Sequence, residues 1–225
     1  MLDRRRFFGS ASTGLAGMAA ACAAPRRGED PLIASNPPRV NTATAPLIDD
    51  IQSRAFRFFW ETTEPERGLA PDRWPTPSFA SIAAMGFALT AFPIGESHGW
   101  VTRAAGLQRT LAMLRFLAGA PMGPEPTRKS GHKGFFYHFL GVTEGWRFAR
   151  CELSTIDTAL LMGGVLFAQS WYDRDDPGEA EVRALADRLY RAIEWDWITP
   201  RPPFVSMGWH PESRFIPSDW NIYNE

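Results

Sequence analysis

The most informative segment of this 225-residue chain reads Cys151-Glu152-Leu153-Ser154-Thr155-Ile156-Asp157-Thr158-Ala159-Leu160-Leu161. It predicts an apolar helix from Glu152 to about Trp171 with two carboxylates at its start. Glu152 and Asp157 are five residues apart, so on a helix their directions differ by roughly 140° and one of them must point into the protein. No Lys, Arg or further Glu lies between residues 153 and 167 to neutralise a buried charge. Because an unpaired buried carboxylate is costly, we expect chemistry in this segment.

Other segments predict further helices of two kinds. Amphipathic helices are expected over residues 46–62, 102–118 and 179–197. An almost entirely apolar helix is expected over residues 78–92, with Ser78 as its N-cap and Pro93 as its end. Apolar and amphipathic helices thus alternate, which predicts two concentric layers with the apolar helices inside. Such alternation with long loops is typical of an all-α toroid of helical hairpins rather than of a simple bundle.

The remaining segments predict irregular structure with local exceptions. The segment Phe135-Phe136-Tyr137-His138-Phe139-Leu140 indicates a short extended strand. Within it, His138 is either a substrate ligand or a structural histidine with satisfied hydrogen bonds. A break is expected at Pro177-Gly178, and a further helix is expected to begin at Ser218 or Asp219.

The long loops are rich in tryptophan. The chain holds nine Trp and sixteen Phe, and the Trp residues in or beside loops are Trp74, Trp100, Trp146, Trp209 and Trp220. Indole faces stack well on the C–H faces of sugar rings, while polar loop groups bind the hydroxyls. Two interpretations stay open at this point: these side chains bind carbohydrate, or they cover the ends of the helices.

Carboxylates near the loops are the other half of a carbohydrate-cleaving site. Glycoside hydrolysis needs an acid that protonates the leaving oxygen and a carboxylate that acts as base or nucleophile. The candidates are Glu152, Asp157, Glu212, Asp219 and Glu225. For Glu152 the alternative is a carboxylate that favours the helix dipole, and for Asp157 it is a buried hydrogen bond to a neighbouring loop.

Charge and cysteine content exclude several classes of function. The formal net charge of −1 argues against nucleic acid as the main partner. The chain has only two cysteines, Cys22 and Cys151. If Cys22 is removed or lipidated, no intramolecular disulfide and no cysteine-ligated zinc site can form. A single thiol at Cys151 is then expected to act as a small buried apolar group rather than as a nucleophile.

The N-terminus indicates export. Asp3-Arg4-Arg5-Arg6-Phe7-Phe8-Gly9 precedes a short, mildly apolar stretch over residues 11–21, which is too short for a permanent membrane span. The arrangement resembles a twin-arginine signal peptide over residues 1–21, followed by a flexible linker over residues 22–44. We therefore expect a periplasmic or secreted protein. Cys22 is the alternative first residue of a lipoprotein, although the preceding Met18-Ala19-Ala20-Ala21 is an imperfect lipobox.

A set of motifs resembles one bacterial family. In family order they are FRFFWE at 56–61, GLAPDR at 68–73, SIAAMGF at 81–87, GFFYHFL at 134–140, ELSTIDTALL at 152–161, MGW at 207–209 and YNE at 223–225. Together they resemble the glycoamylase-like family that includes endo-β-1,2-glucanases and a domain of cyclic β-1,2-glucan synthases. The most specific block is the one at 152–161, and the match covers roughly residues 45–225.

The resemblance implies a fold and a site. The fold is an (α/α)6 toroid, the substrate a β-glucan, most specifically β-1,2-glucan, and hydrolysis proceeds without a metal or organic cofactor. Glu225 is implied as the general acid, and Glu152 as an assisting or substrate-binding carboxylate with Asp157 as its alternate. The expected substrate-binding side chains are Asp72, Trp74, His138, Trp146, Trp209 and Trp220.

Two departures from the family pattern keep other functions open. Relatives carry an acid where this chain has Gly141, so a cleft contact is expected to be missing. Residues 45–225 are also expected to form only the N-terminal half of the toroid, with apolar helix faces left open and a C-terminal half missing. The alternatives are a non-catalytic glucan-binding or degenerate lipoprotein, and a lyase or α-glucosidase on the same fold. For a lyase, Tyr137-His138 is a weak hint of a base.

Overall fold

The computed structural model describes residues 45–76 and 78–221. The helices are α1 Ala45–Thr62, α2 Ile82–Ser97, α3 Arg103–Gly119, α4 Thr155–Trp171 and α5 Pro177–Arg191, with a 3-10 helix at Trp195–Ile198. The short strands are β1 Ala80–Ser81, β2 Gly131–His132, β3 Phe135–Phe136, β4 Phe139–Leu140, β5 Leu153–Ser154, β6 Val205–Ser206, β7 Gly208–His210, β8 Arg214–Phe215 and β9 Asp219–Trp220. The expected signal peptide and linker, Cys22 and Glu225 lie outside the described residues.

The centre of the fold is a close contact between α2 and α4. A Cβ atom added to Gly164 would lie 2.1 Å from the carbonyl oxygen of Gly86, and one added to Gly86 would lie 2.5 Å from the carbonyl oxygen of Leu160. The two backbones therefore touch at positions where only glycine fits. Around this pair, α1 packs on α2, α3 on α2 and α5, and α5 on α4. This confirms the prediction that the apolar helices form the inner layer.

The inner helices begin later than the sequence pattern predicts. For α2 the cap is Ser81, not Ser78, because Ala80 and Ser81 pair with Leu140 and Phe139 before the helix starts. The predicted stop at Pro93 is also wrong, since α2 continues to Ser97. Proline removes only one N–H from the helix, and the next turn is held by packing: a Cβ on Gly95 would lie 2.2 Å from the ring of Phe56.

The start of α4 corrects the position of the first carboxylate. Ser154 is the N-cap, and its hydroxyl accepts a hydrogen bond from the Asp157 amide at 3.3 Å. Leu153 and Ser154 pair with Trp209 and Gly208 as adjacent strands. Glu152 therefore precedes a strand and is not part of the helix, so the predicted helical angle between the two carboxylates does not apply.

Three predictions in the C-terminal part are also wrong. Pro177 starts α5 instead of breaking the chain, because Asp176 caps the amides of Gly178 and Glu179. The helix ends at Arg191, and a separate 3-10 helix follows. Asp219 and Trp220 form a strand paired with Ser206 and Val205 rather than the start of a helix.

Buried charges close the end of the helices where α2 and α4 finish. Glu96 on α2 accepts hydrogen bonds from Trp171 Nε1 at 2.7 Å and from the Tyr172 hydroxyl. Arg103 on α3 donates two hydrogen bonds to Glu179 on α5, at 2.7 and 2.8 Å. The Glu179 side chain is only 3% exposed. The Arg103 contact lowers the pKa of Glu179 despite the opposing effect of burial.

One face of α4 is apolar and exposed. Leu160, Leu166 and Phe167 are exposed at helical spacing, and Phe87 and Ile94 on α2 are exposed as well. The described residues therefore show the open apolar helix faces that the sequence predicts. Over the same ranges, no helix is both long enough and apolar enough to cross a lipid bilayer.

We predict that Gly164→Ala destabilises the protein by about 1–3 kcal/mol, because the new methyl group pushes the two inner helices apart. Gly163→Ala is the matched control, since a Cβ there meets nothing within 4 Å. It should stabilise the fold by about 0.5–1 kcal/mol, because alanine is the better helix former. Urea unfolding of both variants measures the difference. Equal effects would show that the α2–α4 backbone contact does not limit stability.

We also predict that Glu179→Gln costs roughly 1.5–3 kcal/mol at pH 7, because Arg103 loses its charged partner. The Glu179 pKa is lowered from its ordinary 4.5. Its contribution to the free energy of unfolding is therefore full above that value and disappears as pH falls through the folded-state pKa.

Glu181→Gln is the control for this prediction. Glu181 lies on the same helix and also pairs with an arginine of α3, Arg115, but that pair is exposed. Its loss should change the free energy of unfolding by under about 1 kcal/mol. Urea unfolding between pH 7 and pH 3 should show the gap between wild type and Glu179→Gln closing below about pH 4.5. A gap independent of pH would contradict the charged pair.

Candidate active site

The candidate site lies at the end of the inner helices where α2 and α4 begin. Between these two helix starts runs the segment that carries His138. Its amide donates to the carbonyl of Glu152 at 2.9 Å, and its carbonyl accepts from the amide of Ile82 at 3.2 Å. The imidazole ring stacks on Phe139 with centroids 3.8 Å apart. The backbone and ring of His138 are therefore fixed from three sides.

His138 joins the two carboxylates of the opening motif. Its Nδ1 lies 2.7 Å from Glu152 Oε1, and its Nε2 lies 3.6 Å from Asp157 Oδ2. The side chains of His138 and Glu152 are about one third exposed, at 31% and 32%, while Asp157 is 11% exposed. The cluster is thus open to solvent on one side, and His138, which lies outside the helical segment, provides the polar partner that the segment itself lacks.

The charges of the cluster support one another. Burial alone would lower the pKa of His138, but the hydrogen bond to Glu152 and the charges of Asp157 and Glu152 outweigh burial and raise it. The hydrogen bond from His138 in turn lowers the pKa of Glu152, against the effect of burial. His138 therefore binds a proton more readily than a free histidine does, and Glu152 stays ionised to a lower pH than a free glutamate does. Glu152 is consequently suited to accept a hydrogen bond or a proton rather than to donate one.

Asp157 is held by the helix that carries it. The Ser154 hydroxyl donates to Asp157 Oδ2, while the Asp157 amide donates to the Ser154 hydroxyl at 3.3 Å. Asp157 also lies in the first turn of α4, where the helix dipole favours a negative charge. Beside this turn, Trp220 Nε1 donates to the Thr155 hydroxyl at 2.9 Å. Asp157 therefore bonds to the N-cap of its own helix rather than to a neighbouring loop, and it also lies near His138.

A buried arginine braces the strand next to the cluster. Arg147 has a side chain that is 1% exposed, and it donates to the carbonyl of Cys151 at 2.7 Å and to Glu212 at 2.8 Å. Its Nη2 lies 3.1 Å from His210 Nδ1. Because arginine only donates, the Nδ1 of a neutral His210 accepts and its proton is on Nε2. No local pattern in the sequence indicates Arg147 or His210, since their contacts join segments more than sixty residues apart.

The structure argues against Glu212 and Asp219 as the proton donor. The hydrogen bond from Arg147 lowers the pKa of Glu212, and the hydrogen bond from Arg201 lowers that of Asp219. Arg201 Nε lies 2.7 Å from Asp219 Oδ2. Both carboxylates are therefore ionised partners of arginines that hold loops and strands together, and neither is set up to donate a proton.

The predicted sugar-binding tryptophans differ in their surroundings. Trp74 is 65% exposed, whereas Trp209 is 2% exposed and packs against His132 and Trp197. The prediction that Trp209 binds substrate is therefore wrong, because its faces belong to the core. Trp146 is half-buried with Arg128 over its ring at 5.8 Å, and Trp220, also half-buried, borders the start of α4.

The structure also shows the surroundings of the remaining groups that the sequence singled out. Asp72 contributes to raising the pKa of His138 and binds Arg73 at 3.0 Å. Tyr137, the base suggested for a lyase, is fully buried, and burial raises its pKa to about 12. Burial likewise raises the pKa of the Cys151 thiol, which fits its expected apolar role. In residues 45–76 and 78–221, no group of three or more His, Cys, Asp or Glu side chains is arranged to hold a metal ion.

Comparison with known proteins gives the class of fold. No protein-family model matches the chain. A candidate glucoamylase from Bacteroides uniformis superposes with a TM-score of 0.66 and 28% identity over 75% of this chain and 40% of its own. The β-1,2-glucanase of Parabacteroides distasonis superposes with the same score and identity over 75% of this chain and 24% of its own. The described chain therefore has the glucoamylase-like α/α toroid fold, and it covers part of that toroid.

One curated protein is also similar to this chain in sequence. The exo β-1,2-glucooligosaccharide sophorohydrolase (non-reducing end) of Parabacteroides distasonis is 28% identical to this chain over 178 residues. The chain is a homologue of that enzyme. The match covers 76% of this chain but only 23% of the relative, so the chain spans about a quarter of the relative's length.

We predict that Glu152→Gln lowers the pKa of His138, because the main contact that favours the imidazolium is lost. Chemical shifts of the histidine rings, followed by NMR from pH 5 to pH 9, measure this change. Asp187→Asn, which removes an exposed partner of Arg191, is the control and should leave the titration unchanged. A His138 pKa that does not respond to Glu152→Gln would contradict the imidazolium–carboxylate pair.

Proposed function

We propose that this chain is part of a glycoside hydrolase that acts on β-1,2-glucan. The observation that carries the proposal is the contact of His138 with both Glu152 and Asp157, at the open end of an α/α toroid homologous to a β-1,2-glucooligosaccharide hydrolase. Carboxylates around an exposed cleft are what glycosidic bond cleavage requires.

The proposed roles follow from the charge states. Glu152 is kept ionised by His138 and either accepts a hydrogen bond from a substrate hydroxyl or assists as a base. Asp157 is the second hydrogen-bond acceptor. The proton for the leaving oxygen must come from another group. We assign that role to Glu225 on its match to the family motif; it lies outside the described residues. The imidazolium of His138 keeps the carboxylates in register by its two ring nitrogens.

The second candidate is a protein that binds β-glucan without cleaving it. It is favoured by the observation that Glu152, Glu212 and Asp219 all have a lowered pKa, so none of these three is ready to donate a proton. In either case we propose export through the twin-arginine route, on the pattern of residues 1–21. Lipidation of Cys22 is the alternative form of the exported protein.

We predict that the hydrolase of which this chain is part releases reducing sugar from β-1,2-glucan. Glu225→Gln and Glu152→Gln should each lower the rate by roughly 10²–10⁴-fold, the usual contribution of a general acid or base. Glu181→Gln, at an exposed ion pair, should retain full activity. Reducing-end assays and product chromatography give the rates, and ultraviolet absorbance detects any unsaturated lyase product.

The outcomes separate the candidates. Release of reducing sugar that depends on Glu152 supports the hydrolase. Binding of β-1,2-glucan with no release supports the binding protein and rejects the hydrolase. An unsaturated product would reject both in favour of a lyase. Activity that survives both the Glu152→Gln and Glu225→Gln substitutions would place the reaction at another site.

A further inference from the structure

A second groove opens beside the His138 cluster. Its volume is about 550 Å³, within the range of about 300–1,000 Å³ that small-molecule sites occupy. The side chains that matter here are Arg73, Phe79, Glu144 and Phe148, and Gly141 lies on its wall. None of these four side chains was predicted from the sequence to contact substrate, whereas residue 141 is the position at which relatives carry an acid.

Aromatic rings connect this groove to the cluster. His138 stacks on Phe139 at 3.8 Å, Phe139 lies 4.1 Å from Phe79, and Phe79 lies 4.7 Å from Phe148. Phe148 ends the row with 42% of its surface exposed. An aromatic ring that remains accessible in a groove offers a face to the C–H groups of a sugar. The row therefore extends from the ionised cluster to an accessible aromatic face.

The polar groups of the groove carry both signs of charge. Arg73 binds Asp72 through Nε at 3.0 Å, and a guanidinium has five N–H donors, more than that contact uses. Glu144 supplies carboxylate acceptors next to Gly141, where an added Cβ would lie 3.1 Å from its Oε2. The missing side chain at Gly141 leaves the space next to this carboxylate open. Donors and acceptors with compensating charges fit the hydroxyls of a neutral ligand better than an ion.

We propose that this groove is a sugar subsite that binds a glucosyl unit of the same β-1,2-glucan chain whose other units contact the His138 cluster. The proposal rests on the proposed function, because it takes its ligand from there. Phe148 is the stacking platform, and Arg73 and Glu144 bind the hydroxyls. Because the aromatic row runs from the cluster to the groove, we assign the groove to a further glucosyl unit of the same glucan chain. A pentasaccharide has units beyond those that the cluster holds, so its binding should depend on the groove more than the binding of a disaccharide does.

The test compares oligosaccharides of two lengths. Isothermal titration calorimetry with a β-1,2-linked glucose disaccharide and pentasaccharide is carried out on the full chain, in a Glu225→Gln background so that the ligand is not consumed. Phe148→Ala should weaken pentasaccharide binding about tenfold, the effect of roughly 1.4 kcal/mol from one aromatic stack. Disaccharide binding should stay within about twofold. Gly141→Leu should produce the same selective loss, because its side chain fills the groove and displaces Glu144, whose Oε2 lies 3.1 Å from the position of a Cβ on residue 141.

Phe167→Ala is the matched control. Phe167 is a second exposed phenylalanine, 41% exposed against 42% for Phe148, but it lies on α4 outside the groove. Its substitution should leave the binding of both sugars unchanged. Circular dichroism of each variant checks that the fold is retained.

Each outcome is decisive for one of the two proposals. Length-dependent binding that is lost in Phe148→Ala and Gly141→Leu supports the subsite, even if the chain hydrolyses nothing and the hydrolase proposal fails. Hydrolysis of β-1,2-glucan with pentasaccharide binding unaffected by both substitutions overturns the subsite and leaves the hydrolase standing. Equal weakening of both sugars in Phe148→Ala overturns the subsite, because the ring would then support the cluster itself. If neither sugar binds, both proposals are overturned.

Discussion

The rest of the structure depends on the contact between the backbones of α2 and α4. At Gly86 and Gly164 there is no room for a side chain, so the two inner helices approach as closely as backbones allow. This contact fixes how the two helices lie against each other, and their starts flank the segment with His138. At the other end, Trp171 and Tyr172 reach Glu96 on the neighbouring helix. One packing constraint therefore sets the geometry of the site and of the buried charges at the other end.

Charged side chains have different environments at the two ends of the inner helices. Around Glu179 the carboxylate is nearly inaccessible and is paired with Arg103, so its charge stabilises the fold and contacts no solute. Around His138 the carboxylates are partly exposed and share one imidazole. An imidazole offsets at most one of the two carboxylate charges, and it is a group that itself titrates near neutral pH. The second arrangement keeps acceptor oxygens accessible, which is what recognition of sugar hydroxyls requires.

Much of this fold could be predicted from the sequence because its signals are local. The alternation of apolar and amphipathic helices follows from periodicity, and Thr102 before α3 is a readable cap that accepts from Ala105. The predicted start of α2 is wrong because two serines compete as caps, and the pairing of Ser81 with Phe139 selects the later one. That pairing joins residues nearly sixty positions apart, and no local pattern encodes it.

The site could be predicted only in part for the same reason. His138, Glu152 and Asp157 are each identifiable as candidates, but the helical geometry assigned to Glu152 separates it from Asp157. Strand pairing of Leu153 with Trp209 takes Glu152 out of the helix and turns it toward His138. Trp209 has the sequence context of a sugar-binding residue because it lies in a loop-rich segment, yet the same strand pairing buries it. Burial of a loop residue depends on what packs over it, and only the tertiary structure shows that.

The charge state of Glu152 also limits the chemistry that this cluster can perform alone. A carboxylate whose pKa is lowered by a neighbouring imidazolium is a weak proton donor and a good acceptor. Cleavage of a glycosidic bond needs both a donor and an acceptor on the same substrate unit. Under the proposed function, the cluster supplies the accepting half of such a pair, through the Glu152 carboxylate that His138 keeps ionised. A hydrolase built on it must bring its proton donor from a different segment, on the side of the cluster that remains open to solvent.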